Sequence, residues 1–370
     1  MPIELAYLAL LELRGIMVSE VSWQAGVLLP GSRAALFYSA RTASPQDPQI
    51  DCPSENLPVE QPMLADGQRT GYIRWLWQQC QATMEDSGVR GARYRVRFMR
   101  QGLLNRVQLT AFRFASPNGA IGRAMQDRPR LLDPIARPYQ SSAWDTPTRL
   151  SKIASHYETV EQLGHPVHIG PDEMIEILTM IDVRDGLRIV LDEARWFQRE
   201  GPLVFNLFIG TTRLFSIAFA LRREHGVLTA HVGAIQGRDF AGVLDVYRDL
   251  THCAHGMRPR DMTIELFRSL CQHLGVDRIL LVSDSHRLHR APYFGNKAGK
   301  VVSDYDMIWT DRGGTRIDAS TFEMPVAPSR RNLEQIPARK RGQYRKRYAM
   351  LDVLEARLRD NLAGLRKAVG

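Results

Sequence analysis

Four apolar runs, residues 187–191, 203–208, 214–221 and 227–235, follow one another with only short breaks between them. The joints are Gly201-Pro202, Gly210-Thr211 and His225-Gly226, and Gly186 stands ahead of the first run. Runs of this length, rich in Leu, Ile, Val and Phe, form strands, and turn-forming joints set neighbouring strands antiparallel. A meandering sheet is therefore predicted, and the rest of the chain must cover its faces and edges. The chain beyond residue 237 turns helical in pattern. Residues 239–254 place Val243, Val246, Leu250 and Cys253 on one side, Gly256 ends that helix, and Pro259 suits the first turn of the next. In that second helix Met262, Leu266, Leu270 and Leu274 recur at i, i+4, with Phe267 and Cys271 beside them and Gly275 as the stop. Residues 279–282, Ile-Leu-Leu-Val, read as a strand buried on both faces. The expected fold class is α+β, an antiparallel-rich mixed sheet with packed helices.

The flanks are less regular. Residues 1–36 read as an apolar helix and strand-like pieces broken at Pro30-Gly31. Residues 37–69 read as a linker rich in Pro, Asp, Gln and Ser. An Arg-rich extension comes next, over 70–131. Within it, residues 70–84 are helical in pattern, with Ile73, Trp77 and Cys80 on one face. The run Arg93-Tyr94-Arg95-Val96-Arg97-Phe98 alternates with period two, as a half-exposed strand does. The main domain is placed at 132–355, opening with an amphipathic helix over 150–163. It closes with a helix from about Pro337, striped by Tyr344, Tyr348, Leu351, Leu354 and Leu358, before a tail at 356–370.

Charge is clustered. Residues 90–137 carry eleven arginines against Asp127 and Asp133, residues 329–348 carry eight Lys or Arg against Glu334, and the whole chain is only +9. Such clusters attract nucleic acid, anionic lipid or a polyphosphate ligand, although a solvated basic surface has the same composition. Cys52, Cys80, Cys253 and Cys271 are far apart and form no CxxC, so neither a disulfide framework nor a zinc site is indicated. His252/His255 and His286/His289 have i, i+3 spacing but lack a clear third ligand, so no metal is assigned. No apolar run is long enough to span a membrane, and the start of the chain carries Glu4 and Glu12 with no basic residue before them. A cytoplasmic location is expected, with peripheral attachment at the inner membrane as a variant. No G-x-S-x-G, P-loop, G-x-G-x-x-G or H-E-x-x-H occurs, which removes the common serine hydrolases, nucleotidases and zincins.

Candidate site residues gather at three places. Gly233, Gln236 and Gly237 end the last sheet run, where glycine permits close approach of a ligand or simply a turn. Arg248, His255, Gly256 and Arg258 precede the second helix. Its free N–H groups favour a phosphate, although an arginine pairing with a neighbouring carboxylate is the alternative there. Ser283 and His286 leave the buried strand, and beyond them Tyr305 and Asp306 are candidate acid and base alongside His255. Lys340, Arg341, Arg345, Lys346 and Arg347 form a basic surface on the last helix.

From about residue 132 to 354 the chain resembles the VirK/YbjX family of Gram-negative bacteria. The likeness rests on Arg137-Pro138-Tyr139, Ser155-His156-Tyr157, Val232-Gly233-Ala234-Ile235-Gln236-Gly237 and Tyr247-Arg248-Asp249-Leu250-Thr251. It continues through His255-Gly256-Met257-Arg258-Pro259, Tyr305-Asp306 with Trp309, and Lys340-Arg341-Gly342-Gln343-Tyr344-Arg345-Lys346-Arg347-Tyr348. His252 stands where the family pattern has Lys, and Gly342 where it has Ala. The resemblance implies association with virulence, the cell envelope and resistance to cationic antimicrobial peptides, with no reaction attached. The element order is also similar to the acyltransferase fold of acetyltransferases and peptidyl transferases, where a helix N-terminus after the fourth strand holds the pyrophosphate of coenzyme A. Here more than twenty residues separate Ile235 from Pro259. The leading expectation is an acyl or aminoacyl transferase using coenzyme A or another phosphate-bearing donor. Gly256, Met257 and Arg258 would hold the donor, His255 or Asp306 would be the base, and Gln236 and Arg248 would orient the acceptor. The alternative is a non-catalytic adaptor whose basic last helix engages an anionic membrane; nucleic acid ranks third.

Overall fold

The computed structural model describes residues 66–84, 88–291, 303–327 and 330–367. The elements expected at 1–36 and over most of the 37–69 linker lie outside the described residues. Residues 61–370 form one compact unit.

Among the described residues four helices come first: α1 (Asp66–Thr83), α2 (Val89–Leu104), the single turn α3 (Thr110–Arg113) and α4 (Ala120–Asp127). Helix α2 corrects the strand expected at residues 93–98. Period two would put Tyr94, Val96 and Phe98 on one face, but Tyr94 and Phe98 are buried while Val96 is 47% exposed. The winning pattern is i, i+4, with Tyr94 and Phe98 turned inward, their rings 5.9 Å apart, and the arginines mostly outward. Gly102 completes that inner face, because a Cβ there would lie 2.5 Å from the Leu76 side chain of α1. The Tyr72 hydroxyl donates to the carbonyl it leaves open, 2.6 Å away.

Helix α5 (Thr146–Leu163) starts three to four residues earlier than its apolar pattern suggests, because Asp145 caps it by accepting from Thr148 N and Pro147 fits its first turn. It lies along the edge of the sheet. Strands β1 (Met174–Thr179), β2 (Leu187–Asp192), β3 (Leu203–Ile209), β4 (Thr212–Glu224) and β5 (Val227–Gly237) form an antiparallel meander, and four of them are the four runs of the sequence. Strand β3 ends its pairing at Phe219 of β4, so the next stretch of β4 has a free edge. Two α5 side chains cover it: His156 Nδ1 lies 3.1–3.2 Å from the carbonyl and N–H of Leu221, and Thr159 Oγ1 accepts from Arg223 N at 2.9 Å. Burial holds the His156 imidazole down to about 3, so this edge cap is a neutral ring.

After β5 the chain crosses through α6 (Val243–Cys253) and α7 (Pro259–His273) to β6 (Arg278–Val282), which lies parallel to β5. Short helix α8 (Tyr305–Asp311), strands β7 (Thr315–Arg316) and β8 (Thr321–Met324), and the long α9 (Ala338–Lys367) complete the unit. The eight strands lie in the order β1-β2-β3-β4-β5-β6-β8-β7, with only β5 and β6 parallel. This is the expected α+β mixed sheet. Helix α7 is buried from Asp261 through Cys271, because it lies between the sheet and α9. Phe267 meets the rings of Phe219 and Phe205 edge-on at 4.9 and 5.7 Å. Each such buried side chain contributes about 1.5–3 kcal/mol. Leu351, Leu354, Leu358 and Leu362 of α9 are buried too, and its helix runs unbroken to Lys367, the last described residue of the segment expected to be a tail.

Candidate functional site

Between α6 and α7 the backbone makes a tight reversal at His255 and Gly256, both left-handed with φ of 51° and 77°. Gly256 N bonds Thr251 O at 2.7 Å, and Met257 N bonds Ala254 O at 3.0 Å. Arg258 is extended and Pro259 opens α7. Helix α9 clamps this loop. Arg347 donates twice to the His255 carbonyl, at 3.0 and 3.2 Å, while its guanidinium stacks on Tyr344 at 4.3 Å. Gln343 sits where a Cβ on Gly256 would be, 2.4 Å from its Nε2. Two sequence motifs, His255–Pro259 and Lys340–Tyr348, thus meet across one interface.

A cleft of about 1420 Å³ opens over this loop. Arg248, Arg258 and Arg260 line it from the α6–α7 side, and Arg339 and Lys346 from α9, with His252 and His255 between them. Phe215, Tyr247 and Val183 supply apolar wall, and no Asp or Glu is among the lining residues. Arg260 pairs with Asp261 at 3.1 Å and Arg248 with Asp245 at 2.6 Å. The second pair is 78% exposed on both sides and is worth little. Arg258, Arg339 and Lys346 make no ion pair among the described residues. The α7 N-terminus has no side-chain cap and opens here, adding the positive end of a fifteen-residue helix. Five cations, two of them paired, two imidazoles and a helix N-terminus whose first-turn Asp261 is held by Arg260 give a lining suited to an anion, with room for several phosphates or one phosphate and an apolar arm.

Other candidate residues lie elsewhere. Gly237 backs the cleft wall, with Phe215 and the Tyr247 hydroxyl within 3.2 Å of its missing Cβ. Gln236, next to it, is half-buried and does not line the cleft. Gly233 forms a bulge in β5 where the Glu200 carbonyl would be 1.9 Å from a Cβ. Ser283, His286, Tyr305 and Asp306 gather at the carboxyl end of β6, outside the cleft. Ser283 Oγ donates to Ala319 O at 3.1 Å, and His286 Nδ1 lies 3.0–3.2 Å from the hydroxyls of Ser285 and Ser283. Asp306 accepts from Asp284 N at 2.7 Å and pairs with Arg316. The β5–β6 pairing stops at Val232, and the Tyr305 hydroxyl takes over, donating to Ile235 O at 2.9 Å and accepting from Ile235 N at 3.1 Å. Burial pushes this phenol up to about 12. Tyr305 and Asp306 are therefore engaged in holding β5, β6 and α8 together.

The basic surface of α9 divides four ways. Lys346 faces the cleft, and Arg347 holds the loop. Arg341 is bonded to the carbonyls of Ile336 and Glu334, whereas Lys340 and Arg345 are exposed. Arg339 lines the cleft although no sequence motif includes it, beside Arg260 and Gln343. Arg339, Gln343 and Lys346 are spaced i, i+4, i+7, so they share one helical face, and that spacing was the available signal. Among the described residues no group of three or more His, Cys, Asp or Glu is placed to hold a metal ion, and no helix is long and apolar enough to cross a membrane.

A profile of a protein family of unknown function (DUF535) matches residues 87–360. The match begins well before residue 132, taking in the whole of α2 and the helices after it. The chain is 28% identical over 239 residues to the uncharacterized protein YbjX of Escherichia coli (strain K12), covering 62% of this chain and 72% of that one. It is 34% identical over 131 residues to an uncharacterized protein of Haemophilus influenzae, which spans 35% of this chain and 43% of that relative. No solved structure matches. With a fold, a cleft and a family profile that coincide over most of its length, the chain belongs to the DUF535 family, the VirK/YbjX family.

Proposed function

We propose that this protein binds a phosphate-bearing donor in the basic cleft and transfers an acyl or aminoacyl group from it, in modification of the cell envelope. One observation carries the reading: five Arg and Lys side chains and an uncapped helix N-terminus converge on about 1420 Å³ with no lining carboxylate. The N-terminus of α7 with Arg258 would take the phosphate, helped by Lys346 and Arg339. His255 lines the same space and is the better candidate base, since Asp306 is engaged by Arg316 and by Asp284 N. Arg248 stands at the rim to orient an acceptor. The sheet is compatible with the reading, since one parallel pair, β5 and β6, is joined by the two helices that flank the cleft loop inside an otherwise antiparallel sheet. Fold likeness alone assigns no chemistry.

Thermal-shift titration with coenzyme A, an acyl-coenzyme A, nucleotides and aminoacyl-tRNA tests it. A ligand that binds only the native state raises its melting temperature. A saturable rise in the wild type, lost in Arg258→Ala and Lys346→Ala, is the expected result. A panel that leaves the wild type unmoved would remove the donor and with it the transferase reading. The adaptor reading keeps one observation of its own, that Lys340 and Arg345 are exposed outside the cleft.

A further inference from the structure

A second, smaller cavity of about 280 Å³ lies between the segment before α5, α5 itself and the loop joining β2 to β3. It is lined by four guanidinium groups, those of Arg130, Arg137, Arg195 and Arg199, and by the phenols Tyr139 and Tyr157. Two of the sequence motifs unused by the cleft, Arg137-Pro138-Tyr139 and Ser155-His156-Tyr157, thus contribute to one wall. The cavity's one carboxylate, Asp133, already accepts from the Tyr94 hydroxyl at 2.8 Å and pairs with Arg137 at 3.4 Å. The Asp172 partner of Arg195 lies outside the cavity in an exposed pair.

Tyr139 is 2% exposed, and its hydroxyl has no hydrogen-bond partner among the described residues. A buried O–H without an acceptor costs about 1–3 kcal/mol. Two buried charges act on the phenol in opposite directions: Arg222, which stacks on Trp144 and reaches Gln140, and Glu193, which pairs with Arg128. A buried hydroxyl lacking an acceptor, in a cavity lined by four arginines and one engaged carboxylate, is met by a negatively charged oxygen in the cavity. Leu131 and Ile153 add buried apolar wall, so the group that carries that oxygen has an apolar body. The volume lies at the small end of ligand pockets, which run about 300–1,000 Å³.

We propose that this cavity is a second binding site, for a small organic anion, whose carboxylate or phosphate oxygen accepts from the Tyr139 hydroxyl and meets the surrounding arginines. The site is separate from the cleft and does not depend on the donor reading.

Isothermal titration calorimetry on the full chain at low salt tests it in two arms, butyrate and benzoate for carboxylates, inorganic phosphate and phenyl phosphate for phosphates. At least one arm is expected to saturate at one site per chain in the millimolar range or tighter, and which arm does so identifies the anion. Tyr139→Phe should weaken that binding about tenfold and Arg199→Gln should weaken it as well, whereas Arg258→Ala in the cleft leaves it unchanged. Without anion, Tyr139→Phe should melt at or above the wild-type temperature, because the hydroxyl has no partner to lose. The proposal is overturned by failure of both arms to saturate, by wild-type binding in Tyr139→Phe, by loss of binding in Arg258→Ala, or by a lowered melting temperature of unliganded Tyr139→Phe.

Discussion

Gly256 answers to two demands, a left-handed backbone at φ 77° and the approach of Gln343 to 2.4 Å from where a Cβ would lie. The first costs an L residue about 1–2 kcal/mol, and the second adds the smaller cost of moving the flexible end of Gln343 aside. Gly256→Ala should therefore lower stability by roughly 2 kcal/mol. In a Gln343→Ala background the same change should cost less, because the overlap is gone and the backbone term alone remains. Equal losses in both backgrounds, read by denaturant titration, would show that the approach of α9 is not what requires glycine. Glu200 supplies a second test at this scale. Burial lifts its carboxyl from 4.5 to about 7, against the opposing pull of Arg199, and His289 Nδ1 stands 3.8 Å from one of its oxygens. A folded state that binds the proton more tightly than the unfolded chain loses stability as pH rises from about 4.5 through 7, by up to roughly 3 kcal/mol. Glu200→Gln should accordingly raise the melting temperature at pH 8 and confer no gain below the unfolded-state value. A variant no more stable at pH 8 than the wild type would contradict the buried, proton-holding carboxyl. Much of the cleft was legible at this scale, since the His255-Gly256-Met257-Arg258-Pro259 run names its own turn and helix start. The Tyr305 hydroxyl was not, because its partners are the N–H and carbonyl of Ile235, seventy positions away in the chain. Only the gap where β6 leaves β5 creates the need for it.

Elements were legible where one periodicity dominated. The four runs became β2 to β5, and the Met262, Leu266, Leu270 stripe became the buried α7. Residues 93–98 misled because alternating Arg and apolar side chains satisfy period two over six residues, while the longer repeat of Gly91, Tyr94, Phe98 and Gly102 satisfies a helix over twelve. Packing against α1 decides between them. Helix α9 shows the reverse case, a correct stripe whose expected end falls too early. Leu358 and Leu362 carry it past residue 355, and Leu358 is fully buried. Leu358→Ala should therefore destabilise the whole unit by about 2–5 kcal/mol, in one cooperative transition, because α9 packs on α7 and β1 of the same core. A near-neutral change would mean that the end of α9 is detached from that core. The outcome bears on the cleft, because the same helix presents Arg339 and Lys346 and, through Arg347, holds the loop they face.

At the scale of the molecule, the chain's +9 is concentrated by folding into separate places. Part of the Arg-rich segment turns inward, as Arg128 does in its buried pair with Glu193 at 2.7 Å, and part lines the smaller cavity. The basic stretch of α9 is split between the cleft, the loop clamp and an exposed remainder. That split makes the two functional readings separable by charge alone. Lys340 and Arg345 do not line the cleft, so reversing both to Glu should leave binding of a phosphate donor unchanged at physiological salt. The same double variant should lower association with vesicles rich in anionic lipid, where each basic residue near the surface is worth about 1 kcal/mol. Arg258→Ala with Lys346→Ala should do the opposite, removing donor binding with little effect on vesicles. Both interactions should weaken as salt rises, because Arg248, Arg258, Arg339 and Lys346 are exposed like Lys340 and Arg345 and are screened over the same roughly 8 Å of physiological solution. Titrations of wild type and both double variants against donor and vesicles, at low and physiological salt, give the comparison. Donor binding lost in Lys340→Glu/Arg345→Glu but kept in Arg258→Ala/Lys346→Ala would place the anion site on the exposed face of α9, and the cleft would lose its claim to it.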